Sequence, residues 1–409
     1  MNSCSSPSEL RVDMQGKLKI LRQADLDGLL SGNRQDAIDA RRHVRTLVIQ
    51  GDRRIPEEWL TLPSLQHLSI TVNKETLVQF PRVLCASALP ALQRLSLLCV
   101  SRMGASEWAC PVLEGRFEQL NEITIEGFAM KMNALDALLL QLPSLTTLRL
   151  WKNKIGAEGC LRLAQSLQQH GSPRLSVLDL SANDIGPVGC AALGQALELH
   201  ACPDLSVLDL EQNNIGDEGC AHLARALQQP SVSNVSRIRL GLQCIGADDC
   251  AGVARTLRRW PCIYLTHLNL AANDIGSQGC AYLAQALQQH ACPNLCVLAL
   301  EDNDIGNQGI IHLARGCNEG CPRIQEQLDL WDNGLHTPPD VVGELRSLTA
   351  LSVDYNRTRG IPPTPYGLIS KLETFKINCN SLEEKSRQAS RKGLEALKRY
   401  LRRRYAAAE

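Results

Sequence analysis

Apolar residues return along this chain at a fixed interval. Leu145, Leu175, Leu205, Val235, Leu265 and Leu295 stand 30 residues apart, and each opens a segment with further apolar residues at its fourth and sixth positions. Within a segment the apolar positions alternate, as at Leu148 and Leu150 or Leu208 and Leu210, which is the period of a strand with one buried face. Past a turn the spacing becomes helical, as at Leu163, Ala164 and Leu167 or Leu283, Ala284 and Leu287, with Gly156 and Gly159 at one such entry. One strand, one turn and one helix per coil predict an α/β solenoid. Parallel strands lie about 4.8 Å apart and helices about 8–10 Å apart, so the stack is expected to curve into a horseshoe with strands on the concave face and helices on the convex face.

Between strand and helix an asparagine recurs at Asn153, Asn183, Asn213, Asn273, Asn303, Asn333, Asn356 and Asn380. Its amide can satisfy backbone groups where the coil turns sharply and water is excluded. Gln243 takes the place of this asparagine in one coil, and a local irregularity is expected there. The segment L-x-x-L-x-L-x-x-N-x-I-G-x-x-G-C-x-x-L-A-x-A-L resembles the leucine-rich repeats of ribonuclease inhibitor type, also found in Nod-like receptors and Ran GTPase-activating proteins. The likeness is strong from Leu145 to about Arg315. Weaker copies precede it (Val44–Leu47–Ile49, Leu65–Leu68–Ile70, Leu92–Leu95–Leu97, Leu120–Ile123–Ile125) and follow it (Leu328–Leu330, Leu348–Leu351–Val353, Leu372–Phe375–Ile377).

This organisation divides the chain into a disordered start and N-terminal helical cap over 1–43, irregular repeats over 44–144, and regular 30-residue repeats over 145–324. Shorter repeats follow over 325–380, and a basic C-terminal capping helix over 381–409. Leu18, Ile20, Leu21, Leu26, Leu29 and Leu30 are read as the apolar stripe of one or two short helices covering the first coil. Residues 1–12 read as an ordinary frayed terminus, with an export signal of a specialised bacterial secretion system as the other option. Pro338, Pro339, Pro362 and Pro363 fall where a helix would run, so the convex side is expected to turn extended or 3₁₀-like there. At the far end Leu394, Leu397 and Leu401 form one helical stripe.

Seventeen cysteines raise the question of disulfides. Many occupy a single repeat position, Cys160, Cys190, Cys220, Cys250 and Cys280. Equivalent sites on neighbouring helices are too far apart for a bridge, which needs Cα atoms about 4.4–6.8 Å apart. They read as small core residues of a cytoplasmic protein in a reducing compartment, which includes a host cytosol should the chain be exported. No run approaches the roughly 20 apolar residues of a membrane span, and MNSCSSPSEL lacks the apolar core of a secretory signal. The net charge is zero, yet Lys385, Arg387, Arg391, Lys392, Lys398, Arg399, Arg402, Arg403 and Arg404 stand against only Glu383, Glu384 and Glu395 at the C-terminal end. A solvated cap face is the preferred reading of that cluster, with nucleic acid or anionic lipid as the alternative.

The sequence holds no phosphate-binding loop, zinc-protease helix, nucleophile elbow or dinucleotide fingerprint, so neither an enzyme, a cofactor, a metal nor a small-molecule substrate is expected. The candidate working surface is the strand face turned away from the helices. One column there carries Arg149, Asp179, Asp209, Arg239 and Asp329, and the next carries Trp151, Glu211, Glu301, Trp331 and Asp354, with Arg237, Asp302, Asp332 and Tyr355 beside them. Tryptophan on a rigid strand is a frequent interface anchor, and the acids would attract a protein partner with a basic surface. The competing view is that these charges only solvate the sheet and that Asp209 pairs with Arg239 across adjoining strands. The resemblance likewise implies a protein gripped by the concave strands, as inhibitor or adaptor. It leaves two alternatives open: a bacterial effector that targets a host protein through its repeats, and a GTPase activator of the Ran-activating type using Arg53, Arg54 or Arg102.

Overall fold

In the regular repeats each Leu-x-Leu pair sets a short strand because its leucines face inward together. In the computed structural model, Leu148, Leu178, Leu208, Leu298 and Leu328 are buried at the strand centres. The structure describes residues 17–20, 42–50, 62–73, 83–100, 112–128, 139–227, 229, 232, 234–243, 245–259, 261–320, 327–336, 345, 348–361 and 368–405. The architecture is an α/β solenoid in two units, the first comprising residues 1–184 and 200–205 and the second 185–199 and 206–409.

In the first unit, β1 (Lys17–Ile20), β2 (Thr46–Gln50), β3 (His67–Asn73), β5 (Arg94–Val100), β7 (Glu122–Glu126), β8 (Thr147–Arg149) and β9 (Val177–Asp179) lie side by side in that order, all parallel. Leu47, Leu68, Leu95, Ile123, Leu148 and Leu178 stack in register. Two further strands, β4 (Val83–Cys85) and β6 (Val112–Glu114), pair with each other in a separate parallel ribbon. The helix α1 (Gly156–His170) follows β8, with Cys160, Leu163, Ala164 and Leu167 on its buried face.

The N-terminal expectation needs correction. Leu18 and Ile20 belong to strand β1, which pairs with β2 through Leu18 beside Leu47 and Ile20 beside Ile49. Their alternation is a strand period that extends the sheet by one row, so they are not part of a helical cap. Leu21, Leu26, Leu29 and Leu30 lie outside the described residues, as do residues 1–12, the four convex-side prolines, and Arg53, Arg54 and Arg102.

The second unit opens with α2 (Gly186–Glu198). It then alternates β10 (Val207–Asp209), α3 (Gly216–Ala226), β11 (Arg237–Arg239), α4 (Ala247–Arg259), β12 (His267–Asn269), α5 (Gly276–Gln288), β13 (Val297–Ala299) and α6 (Gly306–Gly320). Strands β14 (Gln327–Asp329), β15 (Ala350–Ser352) and β16 (Thr374–Lys376) complete a parallel row. Two helices end the described chain, α7 (Glu384–Arg391) and α8 (Leu394–Tyr405). Leu397 and Leu401 of α8 are buried, and Lys398 Nζ donates to the Leu372 carbonyl at 2.9 Å, fastening the helix to the last repeat.

The asparagines bind the turns to one another. Asn183 Nδ2 donates to the Leu150 carbonyl one coil back at 2.6 Å and to its own Leu180 carbonyl at 2.8 Å, while its Oδ1 accepts from the Asn153 N–H at 2.8 Å. Asn333 repeats the pattern, with Nδ2 to Leu300 O at 2.7 Å and Oδ1 accepting from the Asn303 and Ile305 N–H groups at 3.1 and 3.2 Å. The residue before each asparagine is left-handed although it is not glycine: Lys152, Ala182, Gln212, Ala272, Asp302, Asp332 and Tyr355 have φ between 48° and 59°. Such a conformation costs about 1–2 kcal/mol, and the ladder of buried hydrogen bonds offsets it.

Gln243 does not break the ladder. Its longer side chain reaches the same groups, accepting from the Asn213 and Ile215 N–H groups at 3.2 and 3.1 Å and donating to the Leu210 carbonyl. The irregularity lies at the helix entry that follows. Gly246 is absent from the left-handed glycines that include Gly216, Gly276 and Gly306, α4 begins one position later, at Ala247, and the Gly246 N–H goes to Asp249 Oδ2 at 2.8 Å.

Candidate functional site

In the first unit the expected binding residues are partly engaged with their own fold. Arg149 Nη1 meets Glu122 Oε1 on the adjoining strand at 2.6 Å, and Arg94 approaches the other Glu122 oxygen at 3.3 Å. Asp179 Oδ1 accepts from the Ser181 N–H at 3.0 Å and from its hydroxyl at 2.5 Å. Trp151 stays open, with 41% of its surface exposed.

The second unit repeats Asp179's arrangement. Asp209 Oδ1 accepts from the Glu211 N–H at 3.1 Å, Asn269 Oδ1 from the Ala271 N–H at 2.8 Å and Asp329 Oδ1 from the Trp331 N–H at 3.2 Å. A carboxylate or amide that closes on the backbone two residues ahead pins the strand end as it enters the turn. The first column of the expected surface therefore has a structural task. Arg239 Nη1 bonds Asp209 Oδ2 at 3.2 Å, the cross-strand pairing weighed above. Arg237 is exposed on the same strand.

The second column carries the chemistry left available. Glu211 Oε1 takes a hydrogen bond from Asn269 Nδ2 at 3.1 Å, crossing above Gly241, whose missing side chain leaves the room: a Cβ there would stand 3.4 Å from Glu211 Oε1. Glu301 is partly buried and shares a hydrogen bond with the Asp329 carboxyl, and its Oε2 is shielded from solvent without a hydrogen-bond partner. Burial, and then the charges of Asp329 and Glu211, push its pKa up to about 7. Burial also raises Asp354, against the pull of the Asn378 N–H and of Lys376. Beside these acids the Trp331 and Tyr355 rings lean together at 5.2 Å between centroids and 54° between planes. Tyr355 is 54% exposed, and Asp302 and Asp332 are exposed at left-handed turn positions.

The structure thus brings Glu211, Glu301, Asp329, Trp331, Asp354 and Tyr355 together on one sheet face. Asn269, which holds Glu211, stands in the first column read from the sequence, whereas sequence reasoning missed Asn378 and Lys376, which moderate Asp354. Their signal was position: Lys376 ends strand β16, which pairs with β15 just before Asp354, and Asn378 follows two residues later in the adjoining coil. Among the described residues no group of three or more histidines, cysteines or acids could hold a metal ion, and no helix is long and apolar enough to cross a membrane. The ladder cysteines are buried, and burial pushes Cys160, Cys202 and Cys250 up to about 12.

A leucine-rich repeat family model matches residues 141–164, 172–194, 201–224, 262–284 and 291–314, each containing the strand-to-helix turn or the helix packed behind it. The chain is a leucine-rich repeat protein. Such repeats form protein-interaction scaffolds, and the stretch the family model passes over, 225–261, contains Gln243 and Asp249. No curated protein matches the sequence. Among solved structures, an internalin of Listeria monocytogenes is 15% identical with a TM-score of 0.45, over 86% of each chain. A leucine-rich repeat protein of Leptospira interrogans is 20% identical with a TM-score of 0.44, over 89% of this chain and 91% of that one. TLR13 in its ssRNA13 complex is 18% identical with a TM-score of 0.48, over 90% of this chain and 49% of that one.

Proposed function

We propose that this leucine-rich repeat protein is a non-enzymatic binding scaffold, an inhibitor or adaptor that holds a protein partner by a basic segment on the open sheet face of the second unit. The observation that carries the reading is the crowding of Glu211, Glu301 and Asp329 beside the Trp331 and Tyr355 rings. Burial, and then the charges of Asp329 and Glu211, raise the cost of ionising Glu301, and a lysine or arginine from outside would relieve that repulsion. The exposed ring of Tyr355 offers the same cation an aromatic face. A sheet already ordered by the asparagine ladder loses little conformational entropy on binding.

The test uses the full chain and two synthetic peptides of equal length, one rich in arginine and lysine and one rich in glutamate, titrated by fluorescence anisotropy. The basic peptide is expected to bind, and to bind at least about tenfold more weakly to a Trp331→Ala, Asp329→Asn variant that retains its circular dichroism spectrum, a difference of about 1.4 kcal/mol. Equal binding of the two peptides, or an unchanged affinity in the variant, removes the reading.

A further inference from the structure

One repeat departs from its neighbours at two positions where the packing is strict. Immediately before the ladder cysteine, the adjoining repeats carry Gly219 and Gly279, and the next, with Ile310 in the cysteine's place, carries Gly309. A Cβ at these glycines would come within 3.3 Å of Cys190 Cβ, 3.2 Å of Cys250 Sγ and 3.3 Å of Cys280 Cβ respectively. The departing repeat has Asp249 at this position. Three residues past the cysteine, where other repeats have Leu163, Leu193, Leu223, Leu283 and Leu313, it has Val253.

Both changes open space. Asp249 prevents the close approach that a glycine allows, and its carboxylate holds the Gly246 N–H in place of the usual entry. Val253 removes a methylene from the core. Behind them lies a cavity of about 50 Å³, lined by Leu223, Leu240, Cys250, Val253, Leu270 and Leu283 among others. The loosening shows in the lining itself: Leu240 and Leu270 are 8% and 6% exposed, whereas the equivalent Leu150, Leu180, Leu210 and Leu300 are all at 0%. The disturbance also reaches the asparagine ladder. The Asp274 N–H bonds the Ile245 carbonyl at 3.0 Å, and the Oδ1 of Asn303, a residue 1% exposed, accepts no hydrogen bond.

We propose that this cavity is a binding site for a small apolar ligand, of the size of xenon or a hydrocarbon of a few carbon atoms. Its lining consists of aliphatic carbons and cysteine sulfur. A water molecule inside would lack the two to four polar partners it needs, and apolar cavities of this kind stay dry and accept apolar guests. Polarisable thiol sulfur adds dispersion contact to such a guest. An engineered apolar cavity of about 150 Å³ admits benzene, so this smaller one selects for smaller molecules. The inference is independent of the sheet-face reading, since none of its lining residues lies on that face.

Xenon itself is the probe, followed by xenon NMR on the full-length protein. Wild-type protein should give a saturable xenon shift. Val253→Leu fills the space from one side, and Asp249→Gly lets α4 settle against its neighbour. Each folded variant should weaken xenon binding by about tenfold or more and raise the melting temperature. The two variants act by different routes, so failure of one to fold leaves the other to decide. A shift in the wild type that does not saturate, or one that persists unchanged in a folded variant, overturns the proposal.

Discussion

Replacing Glu301 by glutamine should stabilise this protein in alkali and leave it little changed in acid. The Glu301 carboxyl is raised from its ordinary 4.5 to about 7 by burial and by Asp329 and Glu211. The folded state therefore holds this proton more tightly than the unfolded chain does. Stability from this group is complete below pH 4.5, declines as the pH rises toward 7, and is gone above it. A rise of that size corresponds to about 3 kcal/mol, and because Glu301 is only partly buried, about 1–3 kcal/mol is the expected range. Glutamine is neutral at every pH, and its amide can donate to the Asp329 carboxylate as the protonated glutamic acid does. Urea unfolding of wild type and Glu301→Gln at pH 5 and pH 8.5 measures the effect. The variant should gain about 1–3 kcal/mol at pH 8.5 and differ by less than about 1 kcal/mol at pH 5, with an unchanged dependence on denaturant. An equal difference at both pH values would refute the reasoning, because the carboxyl would then not be titrating between them.

Asn333→Ala strands the buried N–H groups of Asn303 and Ile305 and should cost about 3 kcal/mol or more in thermal unfolding, whereas Asn303→Ala, whose Oδ1 accepts nothing, should cost less by about 1–3 kcal/mol. Gly309→Ala would place a Cβ 3.1 Å from Ser277 Cα and 3.3 Å from Cys280 Cβ, with Ile305 closer still, and should destabilise by about 1–3 kcal/mol in a denaturant melt. Alkylation of the native protein followed by mass spectrometry should label exposed Cys379 while buried Cys160, Cys202 and Cys250, with pKa values near 12, stay protected until the chain unfolds.

The repeat itself was legible because its constraints are local: a leucine at a strand centre, a buried asparagine and a helix-entry glycine recur at fixed offsets. The helical reading of Leu18 and Ile20 failed because six scattered leucines and isoleucines fit a loose helical stripe, while a strand at a sheet edge takes its identity from a neighbour far along the chain. The ribbon of β4 and β6 escaped notice for the same reason, since Val83 and Val112 sit in separate repeats. Within the candidate site, the tryptophans and acids could be named from sequence, but their division of labour could not. That Arg149 is engaged by Glu122, 27 residues away, follows from register rather than from spacing within one repeat. Asp179, Asp209 and Asp329 did carry a local signal, an acid two residues before a turn N–H, which the reading of them as a charged surface passed over.

That division also explains why one scaffold can keep its fold while its surface changes. The first column is tied to backbone groups at the strand ends, so altering Asp209 or Asp329 disturbs a turn as well as a charge. The second column supplies backbone N–H groups to those bonds while its side chains vary: Trp151, Ser181, Glu211, Gly241, Ala271, Glu301 and Trp331 occupy equivalent places in successive coils and range from glycine to tryptophan and from neutral to acidic. The left-handed position that follows is equally permissive, accepting Lys152, Ala182, Gln212, Asp302 and Tyr355, because the asparagine beyond it holds the turn regardless of the side chain displayed. Apart from Glu301, whose burial ties it to stability, and Gly241, where a Cβ would stand 3.0 Å from the Ala271 carbonyl, substitutions in these two positions should therefore alter partner affinity at little expense in stability, whereas substitutions in the first column should move both together.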